Sequence, residues 1–308
     1  MTRLLVHARD FRAYRALLDL HARAGWFRLS IVAALPVAWI IVANLAPLVQ
    51  MAMISLYDRY PLAPGTEPQF TLRHYTAFFG RPLYLTAFLR TFVFGTAVTA
   101  LTLVVVFPIA FYISKVAAPA RRTRLLLLVI APFWVSEVIR SFAWILMLAN
   151  RGAVNSFASW IGLPGTPYEL LYNNVSLTIG VIYLTSLYML LPLYAALEKI
   201  DRSVLEAASD LGAPGWRRFT RIVLPLSREG VVTGCTLVFL LTVGLFAMPQ
   251  LLGGPNTTMF ATTIGQVFAK AGDSWPLGSA FSLILLAAAL AYVGLFMLLF
   301  QPRRRKTS

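Results

Sequence analysis

The sequence predicts an all-α protein that crosses a membrane several times. Three observations carry that prediction. Of 308 residues, 58% are hydrophobic and 13% charged, with a mean hydropathy of +0.72, whereas a soluble domain carries about 25% charged residues. Apolar runs long enough to span a bilayer recur along the chain, and a helix satisfies its own backbone polar groups in lipid. Lysines and arginines are dense in every second connecting segment and sparse in the others, the asymmetry that orients membrane helices.

Residues 1–28 are basic and partly amphipathic. Leu4, Leu5, Phe11, Tyr14, Leu17, Leu18 and Leu20 alternate with Arg9, Arg12, Arg15 and Arg23. No short apolar core with a small-residue cleavage site is present, so the segment reads as an interfacial helix leading into the first span. Six spans follow, at about Leu29–Leu56, Tyr84–Ile113, Leu125–Leu148, Val175–Leu197, Gly230–Leu252 and Leu277–Phe300. They make one membrane domain over residues 29–300, closed by a basic tail at 301–308. Pro36, Pro47, Pro108, Pro132, Pro192 and Pro249 lie in or near spans, where neighbouring helices tolerate them as kinks. Gly230 and Gly234 have the small-xxx-small spacing of a close helix approach.

Twenty of the 27 basic residues fall in 1–28, 114–124, 198–229 and 301–308, and five in 57–83, 149–174 and 253–276. The first set is therefore expected in the cytoplasm, with both termini, and the second outside. This use of the +15 net charge leaves no need for a nucleic-acid partner. Arg90 and Arg140 remain, and Glu137 is the acidic residue well inside a span. A charge there is costly and needs a partner. Either Glu137 pairs with Arg140, three residues on, or it faces a transport path and meets a cationic solute.

The chain has no phosphate-binding glycine–lysine loop: none of its four lysines follows a glycine. His7, His21 and His74 lack metal-ligand spacing, Cys235 stands alone in an apolar run, and no nucleophile–base constellation is evident. The chain reads as a non-enzyme with no catalytic residue, metal or cofactor of its own.

Residues 203–225 form a polar, basic island between two apolar runs. Ser203 and Glu206 have capping-box spacing, placing a helix start there. Val204, Ala207, Ala208 and Leu211 then share a face. Gly212 suits a left-handed C-cap, and Pro214 prevents continuation while opening a second short helix. That helix sets Trp216, Phe219 and Val223 on one side and Arg217, Arg218 and Arg221 around the other. Pro225 disfavours α conformation at Leu224 and ends the unit. On physical grounds this is a helix–turn–helix lying on a membrane surface.

The same residues carry a resemblance. Glu206-Ala207-Ala208, then Gly212, then Ile222-x-Leu224-Pro225, resemble the EAA–G–I-LP loop of permease subunits of ABC importers. Over residues 70–300 the chain is similar to the first permease subunit of spermidine/putrescine-type importers, through Pro132-Phe133-Trp134, Ile139-Arg140-Ser141-Phe142-Ala143-Trp144, Leu191-Pro192-Leu193-Tyr194-Ala195 and Trp275-Pro276-Leu277-Gly278. Glu137 departs from that pattern, where an uncharged residue is expected.

The resemblance implies a type I ABC importer permease fold of six helices in the bacterial inner membrane. It implies a second permease subunit, as a heterodimer, and two ATPase subunits carrying ATP and magnesium that dock on loop 198–229. A solute-binding protein is implied on the outer face. The loop's implied contact residues are Glu206, Ala207, Ala208, Asp210, Gly212, Arg217, Arg218, Ile222, Leu224 and Pro225. Trp134, Glu137, Arg140, Tyr183, Tyr188 and Phe246 are candidates for the path, since aromatic faces and a carboxylate suit an ammonium group. A polyamine is the leading cargo; an opine, amino-acid derivative, thiamine, ferric iron or phosphonate shares much of the pattern. The competing class is a secondary transporter working without ATP, which would normally show an ionisable relay or inverted repeats.

Overall fold

The computed structural model describes residues 12–62, 65, 67–270 and 274–300, with side chains from residue 34 onward apart from 256. The other residues, including 1–11 and the tail 301–308, lie outside the described set. The chain forms two compact units, residues 1–55 and 56–308.

The described residues of the first unit form a helix, α1 (Arg12–Ser55), of 44 residues. The expected interfacial segment thus runs from Arg12 into the span without a break. The stretch Ala34–Ser55 is long and apolar enough to cross a membrane. Pro36 and Pro47 sit inside the helix.

Among its described residues the second unit is built of helices and their connections, with one isolated bridge, Tyr57 to Phe70. A short helix α2 (Arg73–Gly80) precedes α3 (Pro82–Phe111), which opens on Pro82 at N1 and ends in a π-turn over Tyr112–Val116. After α4 (Pro119–Ile130) and a 3₁₀ turn at Ala131–Trp134 comes α5 (Glu137–Leu148), then α6 (Ala153–Trp160). The long α7 (Asn174–Glu198) leads to α8 (Arg202–Asp210) and α9 (Gly215–Arg218). Finally come α10 (Arg228–Val243), α11 (Ala247–Leu252), α12 (Phe260–Ala269) and α13 (Trp275–Phe300).

Four described helices are long and apolar enough to cross a membrane: α1, α3, α7 and α13. The count is six if each of two bent helix pairs is one span. The expected third span, Leu125–Leu148, is one of these. Pro119–Trp134 and Glu137–Trp160 meet at 93°. Pro132 removes a donor, and Val135 and Ser136 are extended, with ψ of 140° and 142°. The fifth span also deviates from the expected single helix. Within Gly230–Leu252, α10 stops at Gly244 before the short α11, and the 69° bend between Gly215–Leu226 and Arg228–Val243 lies just ahead of that stretch. The expected outer loop 253–276 holds α12, ten residues or about 15 Å, too short to cross.

The core is built where α3, α7 and α10 pack together. Val106, Phe107, Met189, Leu193, Leu197 and Val238 form its loop-side part. Close approach of α7 and α10 depends on Gly230 and Gly234. A Cβ on Gly230 would lie 2.5 Å from the Cβ of Ala196, and one on Gly234 2.6 Å from the sulfur of Met189. At the other end Phe78, Phe260 and Phe281 hold α2, α12 and α13 together, with ring centroids 5.4–6.0 Å apart. The backbone N–H of Phe260 donates to Thr91 Oγ1 at 2.8 Å, capping α12 from α3. Asn173 Oδ1 accepts from the N–H groups of Val175 and Ser176 and so starts α7, and Ser176 Oγ donates to the Leu252 carbonyl at 2.8 Å.

Candidate functional site

The loop between α7 and α10 is shaped by local backbone chemistry. Its first helix starts earlier than the Ser203–Glu206 spacing implies. Asp201 is the N-cap of α8, and its Oδ1 accepts from the Ser203 N–H at 3.1 Å. A carboxylate two residues upstream satisfies that donor, so Ser203 lies inside the helix and Glu206 caps nothing. The C-terminus follows expectation. Gly212 has φ +76°, its N–H donates to the Ser209 carbonyl at 2.8 Å, and the Ala213 N–H donates to the Ala208 carbonyl at 3.0 Å. These two bonds form a Schellman cap. No atom comes within 4 Å of a Cβ placed on Gly212. Conformation, not space, demands glycine there.

Beyond Pro214, α9 runs on through a π-turn at Phe219–Val223 into Leu224–Leu226. The expectation that Pro225 keeps Leu224 out of α conformation is overturned, since Leu224 has φ −62° and ψ −46°. Its N–H reaches back to the Phe219 carbonyl, five residues away. This widened turn gives the Pro225 ring room past the carbonyl of residue 221, with which it would otherwise clash.

Leu205, Phe219 and Val223 pack against the core cluster, and Phe219 meets Phe107 edge-on at 5.2 Å. The opposite face is open. Val204, Ala207 and Leu211 are exposed, Leu211 at 88%, as is Trp216 at 75%. Glu206 and Asp210 are exposed, and among the described residues no hydrogen bond or ion pair involves the carboxylate of either. Arg217 is also exposed, while Arg218, Ala208 and Ile222 are half-buried. An apolar patch rimmed by uncommitted charge is the form of a protein-docking surface.

Two cations, Lys115 and Arg202, fix this loop to the end of α3, a role with no sequence signature. Lys115 Nζ donates to the carbonyls of Glu198 and Ile200. Arg202 Nη2 donates to the carbonyls of Lys115 at 2.7 Å and Ala117 at 3.3 Å, and Arg122 Nε also reaches Ala117. Cations serve the unsatisfied carbonyls at helix C-termini.

The candidate path residues are only partly brought together. Arg140 and Tyr183 join Phe133 and Trp144 in one cluster. Phe133 stacks on Tyr183 at 5.8 Å, and Trp144 meets Tyr183 at 5.4 Å. The Arg140 guanidinium lies 4.6 Å from the Phe133 centroid and 5.9 Å from that of Tyr183. It does not pair with Glu137, which is exposed in the first turn of α5, where the helix dipole suits a carboxylate. Arg140 Nε and Nη1 are buried without a hydrogen-bond partner. Trp134, Tyr188 and Phe246 are exposed and make no ring contact with this cluster. Among the described residues no group of acidic, histidine and cysteine side chains suits a metal ion.

With this geometry in place, the chain can be set beside known proteins. Residues 27–306 match the family described as the binding-protein-dependent transport system inner membrane component. The chain belongs to this family. It is 33% identical over 249 residues to the spermidine/putrescine transport system permease protein PotB of Escherichia coli, covering 81% of this chain and 89% of PotB. Identity to PotB of Haemophilus influenzae is 35% over 265 residues, covering 85% and 91%. The crystal structure of a bacterial ABC transporter that imports the acidic polysaccharide alginate contains a chain with the same fold, with a TM-score of 0.65 at 21% identity, covering 94% of this chain and 99% of that one. The chain is an ABC importer permease with a type I importer fold, and it is an inner-membrane component.

Proposed function

We propose that this permease translocates a polyamine such as spermidine or putrescine, delivered by a solute-binding protein on the outer face. The likeness to PotB over four-fifths of the chain carries this reading. A second permease subunit completes the path, as a heterodimer. Two ATPase subunits carrying ATP and magnesium dock on the exposed face of α8, at Glu206, Ala207 and Leu211. The loop and both termini lie in the cytoplasm, where the basic residues concentrate. Closure of the ATPase pair pushes α8, and the ties from Lys115 and Arg202 pass that movement to α3 and α7. The bundle alternates between two openings biased by ATP and by the docked binding protein.

A second reading of the cargo rests on Arg140. Its buried, unpartnered N–H groups call for an acceptor, and a cation in the path repels a purely cationic solute. An amine that also carries a carboxylate, such as an opine or amino-acid derivative, suits Arg140 together with the exposed Glu137. The test is uptake by the assembled importer in vesicles, with its binding protein outside and ATP inside. ATP-dependent accumulation of spermidine or putrescine supports the polyamine reading. Accumulation of the carboxylated amine alone replaces it with the second, and uptake without ATP or the ATPase subunits rejects both in favour of a secondary transporter.

A further inference from the structure

A groove of about 530 Å³ runs between α3, α10 and α13, away from the candidate path residues. Its walls are apolar stripes at helical spacing: Val231, Val232 and Cys235 on α10, and Val293 and Phe296 on α13. The loop end of the groove is formed by Leu224, Pro225 and Arg228. The other end is crossed by contacts from α13 to α10 and α3. Tyr292 stacks on Phe239 at 4.3 Å, and its hydroxyl is 2.9 Å from Thr96 Oγ1.

From Arg228 to Phe239 is eleven residues of one helix, about 16 Å. That is close to half of a hydrocarbon core about 30 Å thick. The groove is therefore one leaflet deep. A partner helix crossing the bilayer would require a groove open through both leaflets, whereas this one is crossed near mid-depth by the Tyr292 contacts. An acyl chain entering from the loop side matches both its length and its lining. Arg228 stands where the headgroup of such a lipid would lie. Its described bond is a long one, from Nη2 to the Leu299 carbonyl at 3.5 Å, which leaves its other N–H groups to meet a phosphate.

We infer that this groove binds a phospholipid of the loop-side leaflet, with one acyl chain between α3, α10 and α13 and an anionic headgroup on Arg228. The site is independent of the cargo. Since Leu224 and Pro225 form part of its wall, the lipid also contacts the segment that follows α9.

The test uses the assembled importer in vesicles containing a trace of phosphatidylglycerol with a photoreactive acyl chain, or phosphatidylcholine bearing the same chain. Labelled peptides of this subunit are mapped by mass spectrometry. Label is expected to concentrate on residues 96–103, 228–239 and 292–300, above the level on the exposed face of α3 at Val93 and Val104. Filling the groove by Val232→Trp, or independently by Ala100→Trp, is expected to cut that label about tenfold. Arg228→Gln is expected to retain the label but abolish an advantage of about fivefold for phosphatidylglycerol, while Arg228→Lys retains it. Label no stronger than on the open face, label indifferent to both fillings, or equal labelling by the two headgroups in the unmodified subunit would overturn the inference. So would thiol cross-linking of Cys235, the single cysteine of the chain, to the partner permease, because a protein segment would then occupy the groove.

Discussion

The α7–α10 loop and the aromatic cluster around Arg140 contrast in what they hold in reserve. In the loop, backbone groups are satisfied by Asp201, Gly212 and the π-turn, and the carboxylates of Glu206 and Asp210 have no hydrogen bond or ion pair among the described residues. In the cluster, the rings are committed to one another, and the unsatisfied groups are two N–H donors of Arg140. The loop is thus a rigid presentation of free side chains, suited to a surface that arrives from another subunit. The cluster is a packed surface with an unmet hydrogen-bonding demand, suited to a small solute. Mutations should separate the two: at the loop tip they affect coupling without stability, and in the cluster they affect both.

The largest separation is expected at Glu206. Its carboxylate makes no hydrogen bond or ion pair among the described residues, so Glu206→Ala should shift the subunit's unfolding free energy by less than about 0.5 kcal/mol. If Glu206 meets a basic group on the ATPase in a desolvated contact, removing it costs about 2–5 kcal/mol of that interaction. ATP-driven uptake should then fall at least about 30-fold. Uptake within twofold of the unmodified importer would remove Glu206 from the contact. A loss of thermal stability in detergent would instead restore the capping role that its spacing from Ser203 implied.

These two regions were legible in the sequence to different degrees, for physical reasons. Gly212 was legible because a left-handed residue before a proline has almost one solution, and the position shows φ +76°. The N-cap was misplaced because Asp201 and Ser203 both offer an acceptor and only tertiary context chooses between them. Pro225 was read as a terminator because local rules assume a regular α-turn before it, and the π-turn changes that geometry. The spans at α3, α7 and α13 follow from apolar length alone. A right-angle break does not, because bent and straight segments have the same composition. The pairing of Glu137 with Arg140 failed for a related reason. Three residues apart is suggestive, but the guanidinium lies instead over the rings of Phe133 and Tyr183. Lys115 and Arg202 were counted as topology signals, since nothing in a sequence marks which distant carbonyl a cation will reach.

Gly212 tests whether the loop's rigidity matters apart from its contacts. A β-branched residue at φ +76° costs about 1–2 kcal/mol, and the Cβ that Gly212→Val adds meets no atom within 4 Å. The Schellman bonds should open, and uptake should fall by about five- to thirtyfold while the subunit remains folded. Gly212→Asn, which tolerates the left-handed region, should recover most of the loss. Equal damage from Val and Asn would mean that the ATPase packs against the glycine itself, in which case the open space seen here is filled in the assembly.

The smallest effect is expected in the aromatic cluster. Replacing the ring of Phe133 by Leu removes the closest of the two faces under Arg140, a contact worth about 0.5–2 kcal/mol according to its desolvation. Phe133→Leu should lower thermal stability slightly and change the half-saturating cargo concentration by up to about tenfold, leaving ATP-dependence intact. Arg140→Gln separates the causes. It removes the cation and keeps a donor. If Arg140 repels the cargo, the variant should take up a polyamine at a lower half-saturating concentration. If Arg140 binds a carboxylate on the cargo, that concentration should rise instead. The sign of the change therefore distinguishes a cationic from a zwitterionic cargo, and no change with either substitution would place the cargo's route away from this cluster.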